Sequence, residues 1–283
     1  MGFHFQIFLG IAYLCEMQKT FTDQLGNEMT INWPPKRIVS VVPSQTELLF
    51  ELGLSEQIVG LTKFCIHPIE MFAAKQKVGG TKKLRIEVIR ELQPDLIIGN
   101  KEENSKADIE LLQQEFPVWM SDIYHLEDAM QTITDIGNLV DRQPEAAYLS
   151  HLINAGFNDL QTLALSKGID QTVAYVIWKD PYMFAGRNTF IDDILRKIGL
   201  RNVLIESRYP EVSVSELVAL NPQFVFLSSE PYPFKEKHIE ELQQVLPQAK
   251  VILVDGEMFS WYGSRLVKAV QYFFDFQNQI LSE

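Results

Sequence analysis

Only two cysteines, Cys15 and Cys65, occur in 283 residues. Two thiols cannot build a disulfide framework or a zinc-finger pattern, so stability has to come from packing. No run of about 18 or more apolar residues is present, so the sequence holds no candidate membrane-spanning helix. Basic clusters are missing too. The formal net charge is −12, and no Lys/Arg patch offsets an acidic surface that repels phosphate backbones, so nucleic acid is not an expected partner. Nucleotide and hydrolase motifs are equally absent. No G-x-G-x-x-G follows a strand, no Walker loop occurs, and Gly79-Gly80-Thr81 reads only as a turn. There is no G-x-S-x-G elbow and no H-E-x-x-H.

What is present is an ordinary globular composition, 46% hydrophobic and 22% charged, in a chain long enough for two cores. From Arg37 onward, short β-rich apolar runs alternate with helical periodicity. Candidate strands are residues 38–42, 58–61, 96–98, 118–120, 173–178, 224–227 and 251–254. Their lack of in/out alternation suits parallel strands covered on both faces. The expected class is α/β, with two Rossmann-like lobes built on parallel sheets. Ser44-Gln45-Thr46-Glu47 and Ser213-Val214-Ser215-Glu216 both have the spacing of a capping box at a helix start. Ser44 therefore reads as a helix cap rather than a nucleophile.

One lobe is written twice in outline. Residues 87–92, Gln93-Pro94-Asp95 and 96–98 read helix, Pro turn, strand, and so do residues 215–220, Asn221-Pro222-Gln223 and 224–227. Between the halves, residues 145–165 have helical spacing with Gly156 as the one weak spot, and Ser166-Lys167-Gly168 is a stop. A helix of this length spans roughly 30 Å; joining two lobes, it is stiffer than a Gly/Ser linker and limits closure. The chain thus divides into an N-terminal arm or signal (1–33), an N-terminal α/β lobe (34–141), a connecting backbone helix (142–168) and a C-terminal α/β lobe (169–283).

Open α/β sheets present ligands with the loops at the carboxyl ends of their strands. There the sequence places Lys63-Phe64-Cys65-Ile66-His67, in which Cys65 and His67 at i, i+2 of an extended segment would offer sulfur and imidazole to one ion. Glu102 and Glu103 follow the third strand. Two later loops, 179–187 and 255–265, collect aromatics, and Trp178, Phe184, Tyr209, Phe259 and Trp261 suit a flat, mostly apolar ligand. Lys63, Glu103, Glu257 and Arg265 would meet its polar edges, and His67 is the candidate ligand to a metal. A reading from another class remains open: a cytoplasmic metal-dependent enzyme, or a metal or corrinoid chaperone, using Cys65, His67 and Glu102 or Glu103 around one ion. Residues 3–14 have the length of a signal h-region before Cys15, but Tyr13 and Leu14 replace small residues and His4 is the only basic residue near its start. Either this is a leader, or translation begins at Met17.

Arg37-Ile38-Val39-Ser40-Val41-Val42-Pro43-Ser44-Gln45-Thr46-Glu47, the Gln-Pro-Asp and Asn-Pro-Gln echo and the long central helix together resemble the class III periplasmic binding proteins. These are the helical-backbone receptors that deliver cobalamin, ferric siderophores, haem or metal ions to ABC importers. The resemblance runs from Arg37 to the C-terminus. It implies two lobes with restricted closure and no catalysis. It also implies no permanently bound cofactor, a corrinoid or iron chelate as ligand, an ABC importer permease as partner, a monomer, and a periplasmic or membrane-attached extracytoplasmic location, with the cytoplasm as the alternative. In the cobalamin branch the corrin is held by aromatics of both lobes, whose matching places here are Phe64, Phe184, Tyr209 and the 257–261 loop. Where that branch carries a first-lobe rim tryptophan, this sequence has Thr81-Lys82-Lys83. The family's acidic docking residues, one on each lobe, fall at Glu87 and at Ser215, with Glu216 beside it.

Overall fold

The computed structural model describes residues 17–279, so the apolar run before Cys15 lies outside the described residues. Two sheets, each with helices on both faces, are joined by one long helix. In the first, the strands run in the order Gln76–Lys77, Ile58–Leu61, Ile38–Ser40, Leu96–Asn100, Val118–Ser121, all parallel. In the second, Thr172–Trp178, Phe224–Ser228 and Lys250–Val254 are parallel neighbours. Met183–Phe184 pairs antiparallel and Arg201–Asn202 parallel with Thr172–Trp178. Leu96–Asn100 and Phe224–Ser228 are buried at every position, which is why neither alternates in sequence.

The internal echo extends to the hydrogen bonding. Helices Ile86–Leu92 and Val214–Leu220 both end on a left-handed residue, Gln93 at φ 45° and Asn221 at φ 47°. Proline follows each. Two residues past each cap, a side chain holds the neighbouring strand's start: Asp95 accepts from the backbone of Lys36 and Arg37, and Gln223 Oε1 from the Thr172 N–H at 2.9 Å.

The connecting helix is Gln143–Lys167, with proline in its first turn and Gly168 at φ 65° closing it. Its buried stripe, Ala146, Ile153, Phe157, Leu160 and Ala164, keeps helical spacing. Gly156 is a contact point rather than a weakness: a Cβ there would lie 2.5 Å from Cγ1 of Val270 on the last helix, Arg265–Gln279. A single apolar cluster runs from Ile38 and Leu96 through Phe157 to Phe226 and Phe273. The lobes therefore share a core, and opening them widely would expose it to water.

Two local expectations meet different outcomes. Ser213 and Glu216 form the capping box, with the Glu216 N–H donating to Ser213 Oγ at 3.3 Å and the Ser213 N–H donating to Glu216 Oε2 at 2.8 Å. The Ser44–Glu47 box does not form. That helix begins at Pro43, capped by Val42 without a side-chain bond, which puts Ser44 inside the first turn. Glu47 is drawn instead to Arg265 and Lys268. Within the segment 17–33, strands Met17–Thr22 and Glu28–Trp33 form an antiparallel hairpin. It docks on the first lobe through Ile31 and through Trp33 Nε1, which donates to the Asn138 carbonyl at 3.2 Å.

Candidate ligand-binding cleft

The loops at the carboxyl ends of both sheets meet across a cavity of about 940 Å³. The first lobe contributes Lys63, Phe64 and Ile66, the turn 79–83, then Asn100, Glu102, Glu103 and Ile123. Opposite stand Phe190, Ile191, Tyr209, Glu230, Pro231, Glu257, Ser260, Trp261 and Tyr262. Asn100 builds the acidic corner: its side-chain oxygen accepts from the N–H groups of Glu102 and Glu103 at 2.8 and 3.0 Å. Asn104 braces it, accepting from the Asn100 N–H and donating to the carbonyls of Val41 and Thr81. The short helix Gly256–Ser260, capped by Asp255, sorts the opposite wall. Its turns aim Glu257, Ser260 and the following Trp261 at the cavity and Phe259 at the core.

At the cleft, polar contacts join the two lobes. The Tyr262 hydroxyl donates to Glu103 Oε1 at 2.9 Å, Arg208 pairs with Glu102 at 2.9 Å, and His67 Nε2 lies 3.2 Å from Glu257. Trp261 is held by its Nε1–H, which donates to Glu230 Oε1 at 2.8 Å, and by the Arg265 guanidinium 4.7 Å from its ring centre. Burial pushes the Glu103 carboxyl up to about 7, with Glu230 and Glu102 pushing the same way and the Tyr262 hydroxyl and Lys82 opposing. Burial also raises Glu230, against the donors Ser260 and Trp261, and lifts the Tyr262 phenol well above its ordinary range.

Of the residues singled out from sequence, Lys63, Phe64, Glu102, Glu103, Tyr209, Glu257 and Trp261 line this cavity. Phe184 does not. It is 1% exposed in the second-lobe core with Val176 and Leu227, because its strand pairs onto the sheet edge and turns the ring inward. Phe259 is fully buried between Tyr175 and Phe273, at 5.1 and 4.9 Å between ring centres. Trp178 stands outside the cleft against Tyr232, 5.6 Å away. Arg265 lies behind the wall, its guanidinium bound at 2.7 and 2.9 Å to both oxygens of Glu47 and at 2.7 Å to Glu257.

Cys65 and His67 diverge. The segment is not extended: the Cys65 N–H donates to the Thr62 carbonyl and the Ile66 N–H to the Phe64 carbonyl, closing turns that send the thiol into the core. There Cys65 Sγ sits 3.1 Å from the hydroxyls of Thr46 and Thr62, and burial raises its pKa. His67 instead touches Glu257 and the edge of Trp261. Among the described residues no three His, Cys, Asp or Glu side chains cluster to hold a metal ion, so the one-ion arrangement of Cys65, His67 and Glu102 or Glu103 does not form. The expected result with a thiol reagent is that Cys65 stays unmodified in the native protein and reacts once it is unfolded in urea; rapid native labelling would contradict this placement.

Tyr262, Glu230, Ser260, Phe190 and Ile191 were not picked out from sequence. Glu230-Pro231 follows the strand Phe224–Ser228, so the rule that strand ends carry ligand groups would have reached it. Phe190 and Ile191 open an amphipathic helix, Phe190–Lys197, and look like ordinary core residues. Glu87 and Glu216 are exposed in the first turns of the two echoed helices. Glu87 is paired with Arg90, and Glu216 is engaged as the cap partner of Ser213.

Comparison with known proteins places this geometry. Residues 38–249 match a family described as periplasmic binding protein. The chain is 24% identical to an uncharacterised ABC transporter substrate-binding lipoprotein, YvrC, of Bacillus subtilis strain 168, over 89% of this chain and 83% of the relative. It is 22% identical to the vitamin B12-binding protein of Pectobacterium carotovorum, over 84% and 86%. Among solved structures, the vitamin B12 binding protein BtuF of Vibrio cholerae superposes with a TM-score of 0.74 at 20% identity, covering 87% of this chain and 97% of that one. The apo heme-binding protein RhuT of Roseiflexus sp. RS-1 gives 0.75 at 20%, covering 86% and 98%.

Proposed function

The chain belongs to the periplasmic binding protein family, and on that premise we propose that it captures a metal-bearing small molecule, a corrinoid or ferric chelate, for an ABC importer. The observation that carries this reading is the inter-lobe cavity of about 940 Å³, walled by aromatics of both lobes, Phe64 on one side and Tyr209 and Trp261 on the other. That volume sits at the upper end of small-ligand pockets, roughly 300–1,000 Å³. Rings held by packing and by the Glu230 and Arg265 contacts bury large ligand area at little entropic cost. The ligand is cargo, bound and passed on without chemistry. Similarity to a vitamin B12-binding protein and to a substrate-binding lipoprotein supports the ligand class and an extracytoplasmic location. No helix among the described residues is long and apolar enough to cross a membrane.

Hand-over requires a surface for the permease. Glu87 and the Ser215-Glu216 pair open helices at equivalent places of the two lobes, and we assign them as the docking positions, facing transporter arginines. Calorimetric titration of the protein with cyanocobalamin, haemin and ferric siderophores tests the capture reading. Tight one-to-one binding of one chelate, which is recovered unaltered, is expected; binding of none would sink it. Phe64 is 49% exposed, so Phe64→Ala should weaken that ligand about 10-fold while moving unfolding stability by less than about 0.5 kcal/mol.

A further inference from the structure

Four glutamates face the cleft, and two of them already have cationic partners. Glu102 is paired with Arg208, and Glu257 with Arg265. Glu103 and Glu230, one from each lobe, are held only by neutral donors. Tyr262 donates to Glu103 at 2.9 Å, while Ser260 and Trp261 donate to Glu230 at 2.9 and 2.8 Å. Burial disfavours the charge on both, and Glu230 adds to the load on Glu103. A carboxylate taken out of water without a countercharge is costly, and a ligand that seals the cleft removes the remaining solvent. Whatever fills the cavity has to bring what these two groups lack.

We propose that Glu103 and Glu230 make the cleft selective for a chelate whose inward face donates hydrogen bonds or carries positive charge, and that they exclude chelates whose inward face bears carboxylates or other anions. This rests on the capture reading and narrows its ligand. An amide-edged corrin and a cationic ferric hydroxamate satisfy the requirement; a porphyrin with propionates pointing inward and a ferric tris-catecholate do not. Lysines are present, but at the rim. Lys63 lies over the Phe64 ring, 4.9 Å from its centre, and Lys82 donates to the Glu102 carbonyl. Lys83 lines the cavity as well, and all three lysines are exposed, so they would meet a ligand's solvent edge, where salt screens them. The floor decides, because an anion there would be desolvated against two carboxylates.

The test is a binding panel of four probes read by tryptophan quenching at about pH 8.5, above the range in which Glu103 holds a proton: cyanocobalamin, the cationic ferrioxamine B, haemin and anionic ferric enterobactin. The tightest binder should be one of the first two, by about 100-fold or more over both anionic probes. In the Glu103→Gln, Glu230→Gln double variant, checked for native melting temperature, that preference should shrink to about 10-fold or less. Haemin or ferric enterobactin binding tightest to the unaltered protein would overturn the charge selection while leaving capture intact. So would an unchanged preference in a folded double variant. If that variant does not fold, the ranking by the unaltered protein decides alone. Failure of all four probes to bind would bring down the capture reading and the selection with it.

Discussion

Replacing Glu47 with alanine should cost about 3–5 kcal/mol of unfolding free energy, the expected penalty for stranding one member of a buried ion pair. Glu47 is 2% exposed on the helix Pro43–Glu51 of the first lobe, and Arg265, 5% exposed, opens the last helix. The guanidinium meets both carboxylate oxygens, and Lys268 adds a third contact to Glu47 at 2.9 Å. Without Glu47, Arg265 keeps only Glu257 as a carboxylate partner, and that residue is also a cavity wall. Affinity should therefore fall with stability. The pair itself need not be net stabilising: the double variant Glu47→Leu, Arg265→Met should lie within about 1–2 kcal/mol of the natural protein, since two apolar side chains have no charge to desolvate. Urea unfolding of the three proteins checks this. A loss below about 1 kcal/mol for Glu47→Ala would show that water reaches the network.

Stability should also fall as the pH rises through neutrality, by on the order of 2–3 kcal/mol from Glu103 alone. The sign follows from the proton count. Glu103 in the folded protein titrates at about 7, whereas in the unfolded chain it reverts to about 4.3. Between those values the folded state holds a proton that the unfolded state has released. The associated stability is complete below about pH 4, declines above it, and is lost once the pH passes about 7. Glu230 is raised as well and contributes in the same direction. The groups facing Glu103 are Tyr262, Glu230, Glu102 and Lys82. Unfolding measured from pH 5 to pH 8 should show Glu103→Gln gaining on the natural protein as the pH rises. Parallel pH curves for the two would mean that the carboxyl is hydrated in the ligand-free cleft.

The arrangement of helix, Pro turn and strand was readable in residues 93–95 and 221–223 because a residue ahead of proline is barred from continuing a helix. The structure shows the same left-handed caps at both. Gly168 as a stop and Ser213-Glu216 as a capping box were readable for the same reason: each is a local backbone requirement. The N-terminal hairpin is legible in the sequence as well. Met29, Ile31 and Trp33 alternate with Glu28, Thr30 and Asn32, and the turn 23–27 carries Asp23, Gly26 and Asn27. Ser44–Glu47 shows the opposite case: a local pattern with the right spacing, overridden by a buried arginine more than two hundred residues away.

The sequence by itself determined the class, the order of the central strands, the long connecting helix and the segments that reach the cleft, because each depends on periodicity, capping or turn chemistry within a few residues. It also placed Phe64, Glu103 and Trp261 in loops that follow strands, where open α/β sheets present groups to ligands. Only the tertiary structure decided which side chains of those segments face inward. Phe184 and Phe259 belong to cores, Cys65 turns away from His67, Arg265 stands behind the wall, and Tyr262 and Glu230 enter the site. A loop has no fixed periodicity to tell its two sides apart, and the facing lobe, far off in sequence, is what makes one of those sides a cavity.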